Sequence, residues 1–213
     1  IDGTKVLVDP FLTGNPLAAA DAATIEADFI LLTHGHNDHV GDSVSIAKRT
    51  GAKVIANNEV SIWMANQGVA DTQGMNPGGG LDFGFGTVAL TPAVHSSSMP
   101  DGSYGGEPNG ILITSRGGKR LYLAGDTALF SDMKLIGDKG IDLAVLPIGG
   151  CYTMGPDEAL QAVEFIRPRA VLPIHYNTFP VIQVDVTDWA QRVHNQTDTK
   201  VVVIDPGGSY QLP

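Results

Sequence analysis

Nine short runs rich in apolar and β-branched residues recur along the 213-residue chain, at 5–8, 29–33, 53–56, 88–91, 111–114, 120–123, 143–147, 170–174 and 201–204. Runs this short are strand-length rather than helix-length, and their regular return supplies sheet material throughout the chain. Between several of them lie helical patterns. The clearest is 156–166, where Ala159, Ala162, Val163 and Ile166 fall at i, i+3, i+4 and i+7. Pro156 at its start, Asp157 and Glu158 in its first turn and Pro168 beyond its end are start and stop signals. Further helices are expected at 42–49, 58–66, 131–136 and 186–194. Strands mixed with helices, and a strand pair at 111–114 and 120–123 joined through Arg116-Gly117-Gly118, predict a layered α/β domain with mixed sheets. No boundary between two cores is visible, so residues 1–213 read as one domain.

Charge and cysteine usage narrow the function classes. A formal net charge of −10, with no block of Lys and Arg to offset it, repels phosphate backbones, so nucleic acid is a disfavoured partner. The single cysteine, Cys151, excludes an internal disulfide, and no apolar stretch approaches the roughly 20 residues that span a bilayer. These point to a cytoplasmic protein that does not engage the membrane. Asp2-Gly3 reads as a hairpin turn leading into the first strand, which implies an earlier arm preceding Ile1.

The densest chemistry lies in Thr33-His34-Gly35-His36-Asn37-Asp38-His39, directly after the apolar run 29–32. On an extended segment alternate side chains share a face, so His34 and His36 can converge on one ion. Asp38 and His39, where the chain turns away, can face a second. Imidazole and carboxylate ligands without thiolate suit zinc, manganese or iron, and positions left open for water make such a site catalytic. Three more ligand types follow strand-like runs: His95, Asp126 and His175. Taken singly, a histidine near a strand end more often satisfies an ordinary hydrogen bond. Together with the first cluster, five of the six histidines fall at sheet edges, where loops converge on pockets in layered α/β folds.

The set of residues 33–39 with Gly41-Asp42, His95, Gly125-Asp126-Thr127 and Pro173-Ile174-His175-Tyr176-Asn177 resembles the metallo-β-lactamase superfamily over almost the whole chain. Within it, residues 8–16, Pro147-Ile148-Gly149-Gly150, Thr153-Met154-Gly155-Pro156 and 175–180 resemble the small metal-dependent hydrolases related to ascorbate-6-phosphate lactonase. The resemblance implies a four-layer αββα sandwich of two mixed sheets with metals at one edge between them. It also implies an initial strand carrying a Gly-His pair, which this chain lacks. It assigns His34, His36 and His95 to one divalent ion, Asp38, His39 and His175 to another, and Asp126 as the bridging carboxylate. Zinc is the first expectation, with manganese, nickel or iron as alternatives. Four positive charges against two ligand carboxylates leave a pocket suited to an anionic small molecule. A hydroxide shared by the ions is then the expected nucleophile, and Asp38 a proton acceptor or donor.

The expected activity is hydrolysis of a small ester or lactone, including phosphorylated ones. A small phosphodiester, iron-dependent redox chemistry and non-catalytic metal binding remain open, because a fold does not name its substrate. A homo-oligomer also remains open. Asp9 can orient a ligand histidine or simply serve a turn before Pro10. Tyr176 and Asn177 are candidate substrate contacts. Residues 99–108 can border the pocket as a flap or form a plain surface loop. Cys151 has no basic neighbour that would activate a thiolate, His194 reads as a surface residue, and Trp63 and Met64 read as core.

Overall fold

The structure is a computed structural model describing residues 1–213. The chain runs β1 (Val6–Val8), β2 (Phe29–Leu31), α1 (Asn37–Val40), α2 (Ser43–Thr50), β3 (Lys53–Asn57), α3 (Asn58–Asn66), β4 (Thr72–Met75), β5 (Leu81–Asp82), β6 (Gly86–Pro92) and β7 (Asn109–Ser115). It continues through β8 (Arg120–Leu123), α4 (Met133–Gly137), β9 (Leu143–Pro147), α5 (Pro156–Ile166), β10 (Ala170–Ile174), α6 (Val186–Gln196) and β11 (Lys200–Val201). Two sheets result, one ordered β1-β2-β3-β4 and one ordered β11-β10-β9-β8-β7-β6-β5.

The period of two along each strand builds four layers. In β2 and the residue after it, Ile30 and Leu32 point outward and pack with Val54 and Ala56 of β3 against Ile46 of α2 and Val60 and Met64 of α3. Leu31 and Ile55 point the other way, meeting Val88, Leu90, Ile111 and Ile113 of the larger sheet. That sheet's outer face, with Leu112, Tyr122, Ala144, Leu146 and Val171, is covered by Met133, Ala159, Ala162, Val163 and Trp189 from α4, α5 and α6. This is the expected αββα sandwich.

The strands differ from expectation in places with physical reasons. The larger sheet is mixed: β8 through β11 run parallel, while β5, β6 and β7 pair antiparallel up to β8. The smaller sheet is parallel throughout instead of mixed. Strand β4 was not expected, since Thr-Gln-Gly-Met carries no apolar alternation; its pairing with β3 comes from the neighbouring backbone. Strand β5 has only two residues, too few for a pattern. At the start of the chain, Asp2 and Gly3 both have positive φ, and Ile1 and Thr4 exchange hydrogen bonds across them. That is the primed hairpin turn expected from Asp-Gly. No helix is long and apolar enough to cross a membrane.

Candidate metal centre

Every candidate ligand sits just beyond the end of a strand on one edge of the sandwich. Residues 32–36 lead on from β2 through a bend at Thr33, and α1 then turns the chain, its first bonds running from the His39 and Val40 N–H groups to the His36 carbonyl. His95 follows β6, Asp126 follows β8, and His175 follows β10. Gly35 has no Cβ because the loop after His95 packs on it: a Cβ there would lie 2.6 Å from Met99 Sδ and 3.0 Å from the Ser98 carbonyl. His175 itself has φ 55°, a left-handed conformation that a non-glycine residue adopts at a cost of about 1–3 kcal/mol.

The seven residues come together. His34, His36 and His95 form one group, and Asp38, His39 and His175 a second, each with donor atoms within 4.8 Å of one another. His34, His39 and Asp126 form a third group that joins the other two. His34 Nε2 faces His36 Nδ1 at 2.9 Å. Asp126 Oδ2 lies 3.2 Å from His175 Nε2, 3.4 Å from His39 Nε2 and 3.6 Å from His95 Nε2, so one oxygen faces both triads.

These distances fit a divalent ion. Two ligands bound about 2.1 Å from a tetrahedral ion stand about 3.4 Å apart, the spacing found around Asp126 Oδ2. His39 Nε2 and Asp126 Oδ1 are buried without a hydrogen-bond partner, which proteins rarely tolerate unless another ligand satisfies them. The donor set, five imidazoles and two carboxylates, suits the borderline first-row ions.

The charges divide the histidines into two kinds. Burial, reinforced by the neighbouring His39, lowers His34 to about 2, and burial likewise lowers His95. Both therefore offer lone pairs at neutral pH. Burial also opposes charge on His39, yet Asp9 and Asp126 outweigh it and raise this histidine well above its usual value. At His175, Asp126 and Asp38 overcome burial and raise the imidazole to about 9. In return, the hydrogen bond from His175 leads the lowering of Asp38 to about 2. Desolvation opposes ionisation of Asp126, but His175 and His39 hold it far below the carboxylate range. The second triad thus favours positive charge, from protons or from a bound cation.

Behind the triads lies a carboxylate that aims two of the histidines. Asp9 Oδ1 accepts from the Thr33 N–H at 2.9 Å, while Oδ2 accepts from Thr33 Oγ1 at 2.6 Å and from His39 Nδ1 at 2.8 Å. An ionised carboxylate only accepts, so in the neutral form that can ligate a metal His39 keeps its proton on Nδ1 and presents the Nε2 lone pair to the site. Thr33 has one hydroxyl proton and gives it to Asp9; its oxygen can then only accept from His34 Nδ1, 3.0 Å away. His34 Nε2 is thereby also left with its lone pair facing the site. Asp9 orients histidines, which resolves its two sequence readings.

Five of the seven residues lining a cavity of about 300 Å³ are His36, Asp38, His95, Asp126 and His175; the others are Ser96 and Tyr152. Asp38 is the more open carboxylate, 36 % exposed against 4 % for Asp126. Neither Tyr176 nor Asn177 lines this cavity. Tyr176 packs against the larger core and, with Asn177 and His175, borders a second depression lined also by Leu17, Ile204 and Asp205. Asn177 donates from Nδ2 to the Val184 carbonyl and accepts at Oδ1 from the Val184 N–H, closing its own loop. Ser96 and Tyr152 went unnoticed; only Ser96, next to His95, carried a positional signal.

The loop 99–108 is no free flap. Asn57 Nδ2 donates to the carbonyls of Gly105 and Glu107, and Ser97 Oγ donates to the Gly105 carbonyl while accepting from the Gly35 N–H. It clamps the His34-Gly35-His36 turn. Met64 is fully buried and Trp63 packs partly on the same core, while Cys151 and His194 are exposed.

The family assignment follows the same residues. The model of the beta-lactamase superfamily domain matches residues 4–176. A UPF0173 metal-dependent hydrolase of Thermus thermophilus is 52% identical over 193 residues, covering 91% of this chain and 85% of the relative. Another, of Shouchella clausii, is 54% identical over 189 residues, covering 86% and 82%. The solved structure of Igni18, a metallo hydrolase from Ignicoccus hospitalis, superposes with a TM-score of 0.88 at 38% identity, covering 97% of this chain and 89% of that one. The chain belongs to the beta-lactamase superfamily and to the hydrolases within it.

Proposed function

We propose that the protein is a metal-dependent hydrolase with a two-ion centre, acting on a small anionic ester or lactone, phosphorylated lactones included. The observation that carries this reading is Asp126 Oδ2, placed within 3.2–3.6 Å of imidazole nitrogens from both triads. His34, His36 and His95 would hold one ion, Asp38, His39 and His175 the other, and Asp126 both, with zinc the first choice for such donors. Bound divalent ions supply two things: water of lowered pKa and polarisation of a carbonyl or phosphoryl oxygen.

The chain's own groups do the rest. Asp9 fixes the tautomers of His39 and, through Thr33, of His34. Asp38, ionised and open to the cavity, is the group placed to accept a proton from the attacking water and return it to the leaving oxygen. Burial of His34 and Asp126 keeps bulk water from those two donors, while Asp38 stays open to the cavity. The overall charge of −10 argues for a small partner over nucleic acid. The exposed, unpaired Cys151 is compatible with a cytoplasmic setting.

The test is a panel of lactones, phosphorylated lactones, thioesters and bis-p-nitrophenyl phosphate, offered to the zinc-loaded protein before and after chelation. Lactone or ester turnover that chelation abolishes and zinc restores is the expected result. Turnover confined to the phosphodiester would transfer the assignment to a phosphodiesterase, and turnover indifferent to chelation would end the metal-dependent reading.

A further inference from the structure

We infer that Tyr152 is the residue that selects the substrate, by laying its ring against a flat or cyclic group next to the bond that is cleaved. The inference rests on the proposed hydrolytic site for the reaction, but its central test measures binding and needs no turnover.

One hydrophobic residue lines the cavity over the triads. Of its seven lining residues, five carry candidate metal donors, Ser96 carries a hydroxyl, and Tyr152 supplies the single apolar surface. A substrate held by its oxygen atoms at the donors must direct the rest of its body somewhere within about 300 Å³. Within this cavity the Tyr152 ring is the hydrophobic side chain that can meet it, while Phe11 and Phe179 line a neighbouring cavity on the other side of Asp38 and His175. Single exposed aromatics are common on proteins and need no explanation by themselves. This one, 56 % exposed, stands in the wall of the site.

The backbone that presents it is anchored on both sides to the centre. Following β9, Gly149 packs so closely on the residue after β10 that a Cβ would lie 2.2 Å from the His175 carbonyl oxygen. Gly150 and Cys151 then adopt positive φ in succession, 70° and 59°. For a non-glycine residue such as Cys151 this conformation is unfavourable, and it persists where the surroundings impose it. The Gly150 N–H donates to the Met154 carbonyl at 3.0 Å, and the Tyr152 N–H donates back to the Gly150 carbonyl at 2.6 Å. On the other side, the Met154 N–H donates to the carbonyl of Thr127, the residue after Asp126, at 3.0 Å. Thr153 and Met154 are buried. Tyr152 is thus the exposed tip of a tight turn tied to His175 at one foot and to Thr127 at the other. Such a turn holds the ring in place before a ligand arrives, which lowers the ordering cost of binding. The ligand class is a ring-bearing anionic ester or lactone.

The experiment compares phenylphosphonate with methylphosphonate as non-hydrolysable probes on the zinc-loaded protein, by calorimetry, for the wild type, Tyr152→Phe and Tyr152→Ala. Metal content is measured in each. Aromatic contact predicts that the wild type binds phenylphosphonate roughly tenfold more tightly than methylphosphonate. Tyr152→Phe should keep that preference and Tyr152→Ala should lose it, with the metal content of all three alike. A wild type without the preference, or a Tyr152→Ala protein that retains it, overturns the inference. A Tyr152→Phe protein that loses as much as Tyr152→Ala also overturns it, because the hydroxyl and not the ring would then be responsible. Failure of every ester and lactone to turn over would count against the hydrolytic reading and leave this comparison intact.

Discussion

Replacing Asp9 by Asn keeps the shape of the side chain while removing its charge and changing which atoms carry protons, and so separates the aiming of the histidines from their presence. In the wild type the Oδ2 atom accepts from Thr33 Oγ1 and His39 Nδ1. In Asp9→Asn an amide NH₂ occupies that place and must donate to both. His39 Nδ1 becomes an acceptor, which moves its proton to Nε2, the atom that faces Asp126 at 3.4 Å. Thr33, no longer able to donate to residue 9, turns its proton toward His34 Nδ1, and that ring also shifts its proton to Nε2. One substitution thus removes a site-facing lone pair from a histidine in each triad. Loss of a partner behind a ligand histidine costs about 10- to 100-fold in metal affinity, or about 1.4–2.7 kcal/mol.

The backbone at position 9 accommodates the change. Asn matches Asp in shape, and the φ of 42° at position 9 suits Asn at least as well. Even so, the metal-free variant should unfold at a lower temperature than wild type near neutral pH, because protonated His39 loses its Asp9 partner. Asp9→Ala, by contrast, deletes three hydrogen bonds to a charged acceptor and should cost on the order of 3–5 kcal/mol. Thr33→Val breaks only the branch to His34 and should fall between wild type and Asp9→Asn in zinc affinity. Chelator competition at neutral pH reads the affinities. Wild-type zinc affinity in Asp9→Asn would refute the reasoning.

Other consequences follow from the same geometry. At pH 7 the metal-free protein carries protons on His39 and His175, so zinc binding should release about two protons per protein, measurable by calorimetry in buffers of different ionisation enthalpy. The sign for His175 is definite: with its pKa raised to about 9, it stabilises the metal-free fold fully below pH 6.5, and that contribution is lost as pH rises through 9. Zinc affinity should strengthen over the same window, and an affinity flat between pH 6.5 and 9 would contradict the assignment. Gly149→Ala places a Cβ 2.2 Å from the His175 carbonyl oxygen and should destabilise the protein by about 2 kcal/mol or more in denaturant titration. Asn177→Ala, which frees both Val184 backbone groups, should cost about 1–2 kcal/mol while leaving zinc stoichiometry unchanged.

The donors were legible in the sequence because metal ligation demands particular residue types at particular spacings. His34, His36, Asp38 and His39 announce themselves in six residues, and His95, Asp126 and His175 each end a run that reads as a strand. The layers were legible for a related reason: alternation such as Ile30-Leu31-Leu32 sorts side chains to opposite faces whatever the partner. What was hidden depends on contacts between segments far apart in sequence. Strand β4 has a pattern only its neighbour can impose. The 99–108 loop is held by Asn57, some fifty residues away, through bonds that no spacing encodes. Asn177, a candidate substrate contact from its place after His175, also closes its loop onto Val184 through bonds that no spacing encodes. Tyr152 was invisible because its place in the wall depends on two consecutive residues with positive φ.

The central claim is that seven residues hold two ions with Asp126 between them. Anomalous diffraction from crystals grown with zinc tests it most directly. Two peaks roughly 3.5–4 Å apart are predicted, one among His34, His36 and His95, the other among Asp38, His39 and His175, both in contact with the Asp126 carboxylate. A single peak, or peaks that Asp126 does not touch, would contradict it.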